Sequence, residues 1–333
     1  MIPVGRNRLK TIVSRFPKAS VLVVGDLILD EYIWGDVSRI SPEAPVPVVW
    51  VKSENYVPGG SCNVANNIRS LGGEVHVMGV IGRDARGKAL TDVLKRNGVG
   101  TDDIQTDAAR PTTLKTRVIA QHQQVVRIDR EWTTPVSHKT TSFFIDRLKE
   151  RIPQVDAVCV EDYGKGMITP ELVKEAVRLS RKHGKVITVD PKEEHLSYYK
   201  GVTAITPNHH EAAALSRIKI KDEETLQKAG NRLLGVLACQ NVLITQGEKG
   251  MTLFEKGRKP VKIPTVAQAV FDVSGAGDTV IATFTLARAL GASPVESAVL
   301  ANCAAGVVVG KVGTAVVSPN ELLQRAQQIL RKA

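Results

Sequence analysis

The chain has 333 residues, 43% hydrophobic and 24% charged, which supplies a substantial core and excludes the composition of a disordered chain. Lys and Arg number 45 against 34 Asp and Glu, a net charge of +11. The basic residues gather only modestly, at 6–10, 181–185 and 256–262, and aromatics are 4%, so a solvated basic surface is expected and a nucleic-acid partner is not. Cys62, Cys159, Cys239 and Cys303 lie far apart without metal-ligand spacing, as suits a reducing, cytoplasmic setting. The absence of a long apolar run predicts no membrane association.

Short Val- and Ile-rich runs alternate along the chain with amphipathic segments. The spacing predicts a strand over 21–26, a helix over 61–71, a strand over 75–82 and a helix over 85–97. There follow a strand at 156–162, a helix at 170–183, strands at 185–190 and 203–208, a helix at 223–238 and a strand at 241–247. Helices at 278–290, 294–310 and 319–330 close the chain. Runs without polar alternation suit strands buried on both faces, so the rhythm predicts an α/β fold with a parallel, doubly wound sheet. Residues 31–58, with four prolines, and 112–130, with strand-like alternation, break the rhythm. They predict a small β-sheet within a single domain, serving as a lid over a cleft or as an edge for dimer contact.

The apolar runs end in Asp26, Glu161-Asp162-Tyr163-Gly164-Lys165-Gly166, Asp190-Pro191-Lys192, Pro207-Asn208 and Thr245-Gln246-Gly247. Ligands bind outside the carboxyl ends of such strands, and this mixture suits a hydroxylated, anionic ligand with a metal-bound phosphate. FDVSGAGDTVIATF (271–284) is the sharpest signal. Gly275, Ala276 and Gly277 form a small-residue turn into an apolar helix, an end that binds anions. Asp278 in the first turn could take a proton from an attacking hydroxyl; a glycine turn with a favourably charged helix start is the alternative. In PGGSCNVANNIRSLGG (58–73), Asn63 could reach a ligand over Gly59 and Gly60, or the segment is a turn and cap. In ITPNHHEAAAL (205–215), Asn208 and Glu211 share a helix face, either as a capping pair or as a Mg²⁺ site acting through water. The chain has no G-x-x-x-x-G-K-[ST], nor a G-x-G-x-x-G after the first strand, which disfavours P-loop and dinucleotide-binding folds.

GGSCNVA, NHHE and DVSGAGD stand in the order and spacing of the ribokinase-like (PfkB) sugar kinases, and the chain resembles that family along essentially its whole length. Val273 departs from it, standing where the wider family usually has Thr. GDLILDEYIWGDVSRISPEAPVPVV, QQVVRIDRE, EDYGKGM and VDPK resemble its D-glycero-β-D-manno-heptose 7-phosphate kinase subgroup. The resemblance implies a three-layer α/β sandwich with a β-lid, and ATP with Mg²⁺ as donor. It also implies phosphorylation of the anomeric O1 to a 1,7-bisphosphate, a step toward ADP-heptose and lipopolysaccharide core. By carry-over Asp278 is the base, Gly275, Ala276 and Gly277 the anion hole, and Asn208 and Glu211 organise Mg²⁺ and the phosphates. Thr245, Gly247 and Gly250 would line the nucleotide site, with Asn302 at the adenine pocket. Asp30, Gly59, Gly60 and Asn63 would hold sugar hydroxyls. The sugar's distal phosphate needs a second cationic pocket, for which Arg117, Arg127, Lys165 and Lys192 are candidates, with Gln124 as a further donor. A lid-mediated homodimer is expected, and a monovalent cation requirement is left open. Because the chain stops at Ala333, the adenylyltransferase activity of bifunctional relatives is expected to be absent. Another sugar kinase of the family, of ribokinase or fructokinase type, is the alternative, and a non-catalytic kinase-fold binding or regulatory protein the remote one.

Overall fold

A computed structural model of the chain describes residues 4–121, 123–266, 270–311 and 313–332. Its strands are β1 (Ser20–Gly25), β2 (Leu27–Ile40), β3 (Pro47–Gly60), β4 (Glu74–Gly82), β5 (Gly100–Asp107), β6 (Thr113–Ala120) and β7 (Gln123–Arg130). After these come β8 (Ala157–Glu161), β9 (Val186–Asp190), β10 (Ala204–Ile205), β11 (Asn241–Thr245), β12 (Met251–Glu255) and β13 (Val261–Ile263). The helices are α1 (Arg6–Ser14), α2 (Ser61–Ser70), α3 (Ala85–Arg96), α4 (His138–Arg151) and α5 (Pro170–Lys182). They continue with α6 (His209–Ser216), α7 (Glu223–Leu237), α8 (Ala276–Ala289), α9 (Pro294–Val308) and α10 (Pro319–Lys332).

Nine strands form the large sheet, in the order β13-β12-β11-β10-β9-β8-β1-β4-β5. Pairing is parallel from β11 to β5 and antiparallel across β11, β12 and β13. The two-residue period of β1 sends Val21 and Val23 into one core, with α1, α2, α3, α8, α9 and α10. Leu22 and Val24 go into the other, with α4 to α7. Burial on both faces is why these runs lack polar alternation. The expected three-layer sandwich is therefore the observed one. α8 is buried all round from Asp278 to Ala287, as an interior helix must be.

Two elements depart from the sequence reading for local reasons. The strand expected over 203–208 contracts to Ala204–Ile205, because Pro207 has no N–H to give and Asn208 turns aside to cap α6. The polar segment GTDDIQTD was passed over, yet it forms edge strand β5, with Asp103 buried against the Nε atoms of Arg147 and Arg151, each at 2.7 Å.

The two irregular segments form a four-stranded lid in the order β3-β2-β6-β7. Its strands run further than expected, so Asp30, Gly59 and Gly60 belong to the lid sheet itself. β1 passes into β2 through a single residue, Asp26. The chain leaves β1 toward β4 on one side and later fills β8 on the other, so the crevice where ligands collect opens at this point. The Asp26 carboxylate is buried and accepts the backbone N–H groups of Tyr163, Lys165 and Met167, each at 3.0 Å. It thereby ties the lid junction to the loop after β8.

Burial pushes the Asp26 carboxyl from its ordinary 3.8 up to about 6, against the lowering effect of those N–H groups. A raised folded-state value means the native protein holds the proton more tightly than the unfolded chain. The contribution to stability is full below 3.8 and is lost as pH rises through about 6, a change on the order of 3 kcal/mol. Urea unfolding of wild type and Asp26→Asn across pH 4 to 7 should show this slope in the wild type only; parallel profiles would contradict it.

Candidate active site

α8 begins at a turn that only glycine can make. Gly275 caps it at φ +72, and a Cβ there would stand 2.7 Å from Asn63 Nδ2, so both backbone conformation and space exclude a side chain. Ala276 N–H turns inward to Val273 O at 3.2 Å. Gly277 N–H has no partner among the described residues, and nothing lies within 4 Å of where its Cβ would be. The turn therefore offers an open face and a free donor at the positive end of the helix.

Asp278 follows at once and is 5% exposed. Asn63 Nδ2 donates to its Oδ2 at 2.6 Å, and the Tyr163 hydroxyl donates to its Oδ1 at 2.9 Å. Asn63 is itself held: its carbonyl oxygen accepts from Asn67 Nδ2 at 3.3 Å, and Asn67 Oδ1 accepts from the Thr279 hydroxyl at 3.0 Å. The chain of amides points the donor end of Asn63 at the carboxylate. Burial raises the Asp278 carboxyl above its ordinary value; the bonds from Asn63 and Tyr163 pull it down, and the charge of Asp30 pushes it up. A buried carboxylate held in one orientation, with its affinity for protons raised, is what a general base requires.

The lid brings a second set of residues over this point. Asp30 is buried, with Oδ1 2.8 Å from Arg117 Nη1, and a Cβ on Gly59 would fall 2.7 Å from its Oδ2. The Arg117 guanidinium lies over the Tyr32 ring at 5.3 Å. Register places Arg127 opposite Arg117 and Asp129 opposite Lys115, and a shift after Val118 puts Gln124 opposite Ile119. Gln124, Arg117 and Arg127 thus share the face that carries Asp30. Lys165 Nζ reaches Glu131 at 2.7 Å, and Lys115, which the sequence reading did not single out, joins the same acid at 3.2 Å. Arg127 pairs with Asp129 at 2.9 Å. Lys192 stands apart at the end of β9, 3.7 Å from Glu194, its stem beside Gly164.

On the other side of the α8 turn is a cavity of about 520 Å³. Thr245, Gly247, Gly250 and Asn302, four residues scattered over the sequence, all line it, together with Ala276 and Gly277. Its walls are otherwise largely apolar, including Val273, Val280 and Val309, as suits a flat heteroaromatic ring. Asn302 is fixed there by donating to Pro264 O at 2.8 Å.

A model of the pfkB family of carbohydrate kinases matches residues 18–321. The chain belongs to this family. It is 47% identical over 315 residues to the bifunctional protein HldE of Desulfatibacillum aliphaticivorans, covering 95% of this chain and 64% of that protein. It is 43% identical to HldE of Helicobacter hepaticus, over 93% of this chain and 64% of the relative. The chain thus spans a little under two thirds of the length of these relatives. The fold is that of Arabidopsis thaliana ribokinase solved with ribose and ATP, with TM-score 0.74, 22% identity and coverage of 93% and 99% of the two chains. It is likewise that of phosphofructokinase-2 from Escherichia coli, with TM-score 0.76, 19% identity and coverage of 94% and 100%.

Kinases of this kind need a divalent cation, and this carbohydrate kinase has oxygen ligands to offer one. Glu161, Asp190 and Asp278 bring carboxylate oxygens within 4.8 Å of one another. Glu161 is fully buried, and neither of its oxygens accepts from a donor among the described residues. Burial, then the charges of Asp190 and Asp278, drive its carboxyl well above the ordinary range. An orphaned buried carboxylate among other acids fits a hard cation such as Mg²⁺. Asn208 and Glu211 form the capping box of α6: Asn208 Oδ1 accepts from His210 and Glu211 N–H, and Glu211 Oε2 accepts from Asn208 N–H at 2.7 Å. Glu211 still adds its charge to the cluster, raising the Asp190 carboxyl after burial has done so.

Tyr163, Asn67, Glu161 and Asp190 were not chosen as site residues from the sequence. Three of them sit in the strand-end runs EDYGKGM and VDPK, so position was the available signal; Asn67 looked like an ordinary poor helix former. Tyr163→Phe removes a bond that favours the charged form of Asp278, so the carboxyl should rise further. The acid limb of the pH profile of kcat/KM for carbohydrate phosphorylation should then move to higher pH, as it should in Asn63→Ala. An unmoved acid limb in both variants would remove Asp278 as the group that limits the rate in acid.

Proposed function

We propose that the whole chain is one kinase domain with a lid, transferring the γ-phosphoryl group of ATP to the anomeric O1 of D-glycero-β-D-manno-heptose 7-phosphate. The observation that carries this is the junction at α8: a buried carboxylate, a free-donor turn and an apolar cavity meet there under a lid bearing Asp30 and a row of cations. Asp278 takes the proton from O1 as the oxygen bonds to the γ-phosphorus, and ADP departs with the electrons of the broken bond. Gly275, Ala276 and Gly277 form the anion hole, with Gly277 N–H meeting the charge that develops on the phosphoryl oxygens. Bound Mg²⁺ would neutralise phosphate charge. Glu161 and Asp190, with Asn208 and Glu211 behind them, would hold it, in part through water.

Asp30, Gly59, Gly60 and Asn63 serve the sugar. The Asp30 carboxylate is aimed by Arg117, and Gly59 leaves the room for both. Arg127, Lys165 and Lys115 would receive the distal phosphate by exchanging their present carboxylate partners for it, with Arg117, still paired to Asp30, and Gln124 as further donors, and Lys192 flanks the site from β9. The identity to HldE relatives favours the heptose over other sugars of the family. A coupled ADP-release assay should give the heptose 7-phosphate a kcat/KM at least 100-fold above those of ribose and fructose 6-phosphate. An unphosphorylated sugar turning over better would replace this reading with the ribokinase or fructokinase type. Asp278→Asn should lower kcat by about 10²–10⁴.

A second copy of the chain is the proposed occupant of the lid's outer surface. All eight residues of the edge strand β7 are exposed, and on it Val126 and Ile128 are open to solvent at 46% and 56%. An uncovered apolar edge of this kind invites pairing. Light scattering should find a dimer in the wild type and a monomer in Ile128→Lys; a monomeric wild type at micromolar concentration would remove the proposal.

A further inference from the structure

The basic cluster at 181–185 takes no part in the cleft. It lies where α5 returns to β9, at the end of the sheet opposite Asp190 and Thr245, and closes over a cavity of about 340 Å³. Arg181, Lys185 and Arg288 line this cavity together with Ser180, Thr203 and Gln240, and none of its lining residues is acidic.

The backbone is shaped to seat one of these cations. Gly201 has φ +88, and a Cβ there would stand 2.2 Å from Arg181 Nη2. Without that side chain the guanidinium lies against the chain and donates to Gly201 O at 3.0 Å. Arg288, in the last turn of α8, donates to Ala292 O through Nη1, but its Nε is buried without a partner. The hydroxyl of Ser180, a fully buried residue, also has none. Burial pushes the Arg288 guanidinium down from its ordinary value, and Glu255 is the acid whose charge acts the other way. Neither Arg288 Nε nor the Ser180 hydroxyl is open to the cavity, so the donors available to an occupant are those of the cations that line it, Arg181, Lys185 and Arg288.

We propose that this cavity binds a phosphate group, free or as a monoester. A tetrahedral oxyanion presents acceptors on several sides at once, enough for two guanidinium groups and an ammonium, and Arg matches its geometry well. The volume is at the small end for ligand pockets, which suits a compact anion. An adjoining groove of about 880 Å³ shares Arg181 and Gly201 and is lined by Lys174, Val177 and Tyr198, leaving room for the organic part of a monoester.

Crystals soaked in tungstate, a heavy phosphate analogue, should show an anomalous peak between Arg181, Lys185 and Arg288. In solution, calorimetric titration with inorganic phosphate is done in a Gly277→Asp, Arg127→Glu, Lys165→Glu background, where the added carboxylates repel anions from the α8 turn and from the lid cations. Binding should persist there and weaken at least tenfold on adding Lys185→Gln or Arg181→Gln. Ribose 5-phosphate, titrated the same way, identifies the source: tighter binding than phosphate that is lost in Tyr198→Ala means a monoester, and equal binding means free phosphate. Tungstate found only in the cleft, at the α8 turn or the lid cations, or phosphate affinity unchanged by both cation variants, would overturn the proposal.

Discussion

Everything in the cleft depends on keeping one carboxylate dry. Asp278 sits at the start of an interior helix, where burial works against its charge and only two side-chain donors and the helix terminus favour it. Those donors must be in place before any substrate arrives, which is why the amides of Asn63 and Asn67 and the hydroxyls of Thr279 and Tyr163 are drawn together from three separate segments. Were the carboxylate exposed, water would solvate it and lower its affinity for a proton. Were it buried without donors, it would stay protonated and useless as a base.

The lid solves a related problem of charge. A pocket for the proposed sugar phosphate needs several cations close together, yet cations repel one another without a counter-charge. Here each has a carboxylate to lean on: Arg117 on Asp30, Arg127 on Asp129, Lys115 and Lys165 on Glu131. These partners preorganise the basic groups. The net charge of +11 is thus divided between a cleft in which charge is locally balanced and surfaces where it is not.

The α/β architecture was legible because a strand buried on both faces leaves an unbroken apolar run, and the carboxyl ends of those runs marked the cleft. The family resemblance implies a nucleotide site at Thr245, Gly247 and Gly250 with Asn302 at its adenine pocket, and these four residues line one cavity. What escaped was whatever local pattern does not encode. Edge strand β5 is polar and holds its place through Asp103 and two arginines from a helix more than forty residues on. Tyr163 and Glu161 look like loop and strand-end residues until long-range packing sets them beside Asp278 and Asp190. Asn208 and Glu211 show the limit from the other side: one spacing serves a helix cap and a ligand-organising pair equally well, and the cap is visible here.

The passage from β1 to β2 through Asp26 alone has a mechanical meaning. No slack chain separates the central strand of the core from the strand that carries Asp30, and the connecting residue is itself clamped by three N–H groups of the β8 loop. The root of the lid therefore behaves as a cantilever fixed in the core, and bending is confined to the outer reach of β2 and β3, where the register shifts after Trp34 and Val37 lie. Asp30 is on the stiff side of those shifts. Any bending beyond the shifts leaves Asp30 fixed to the core.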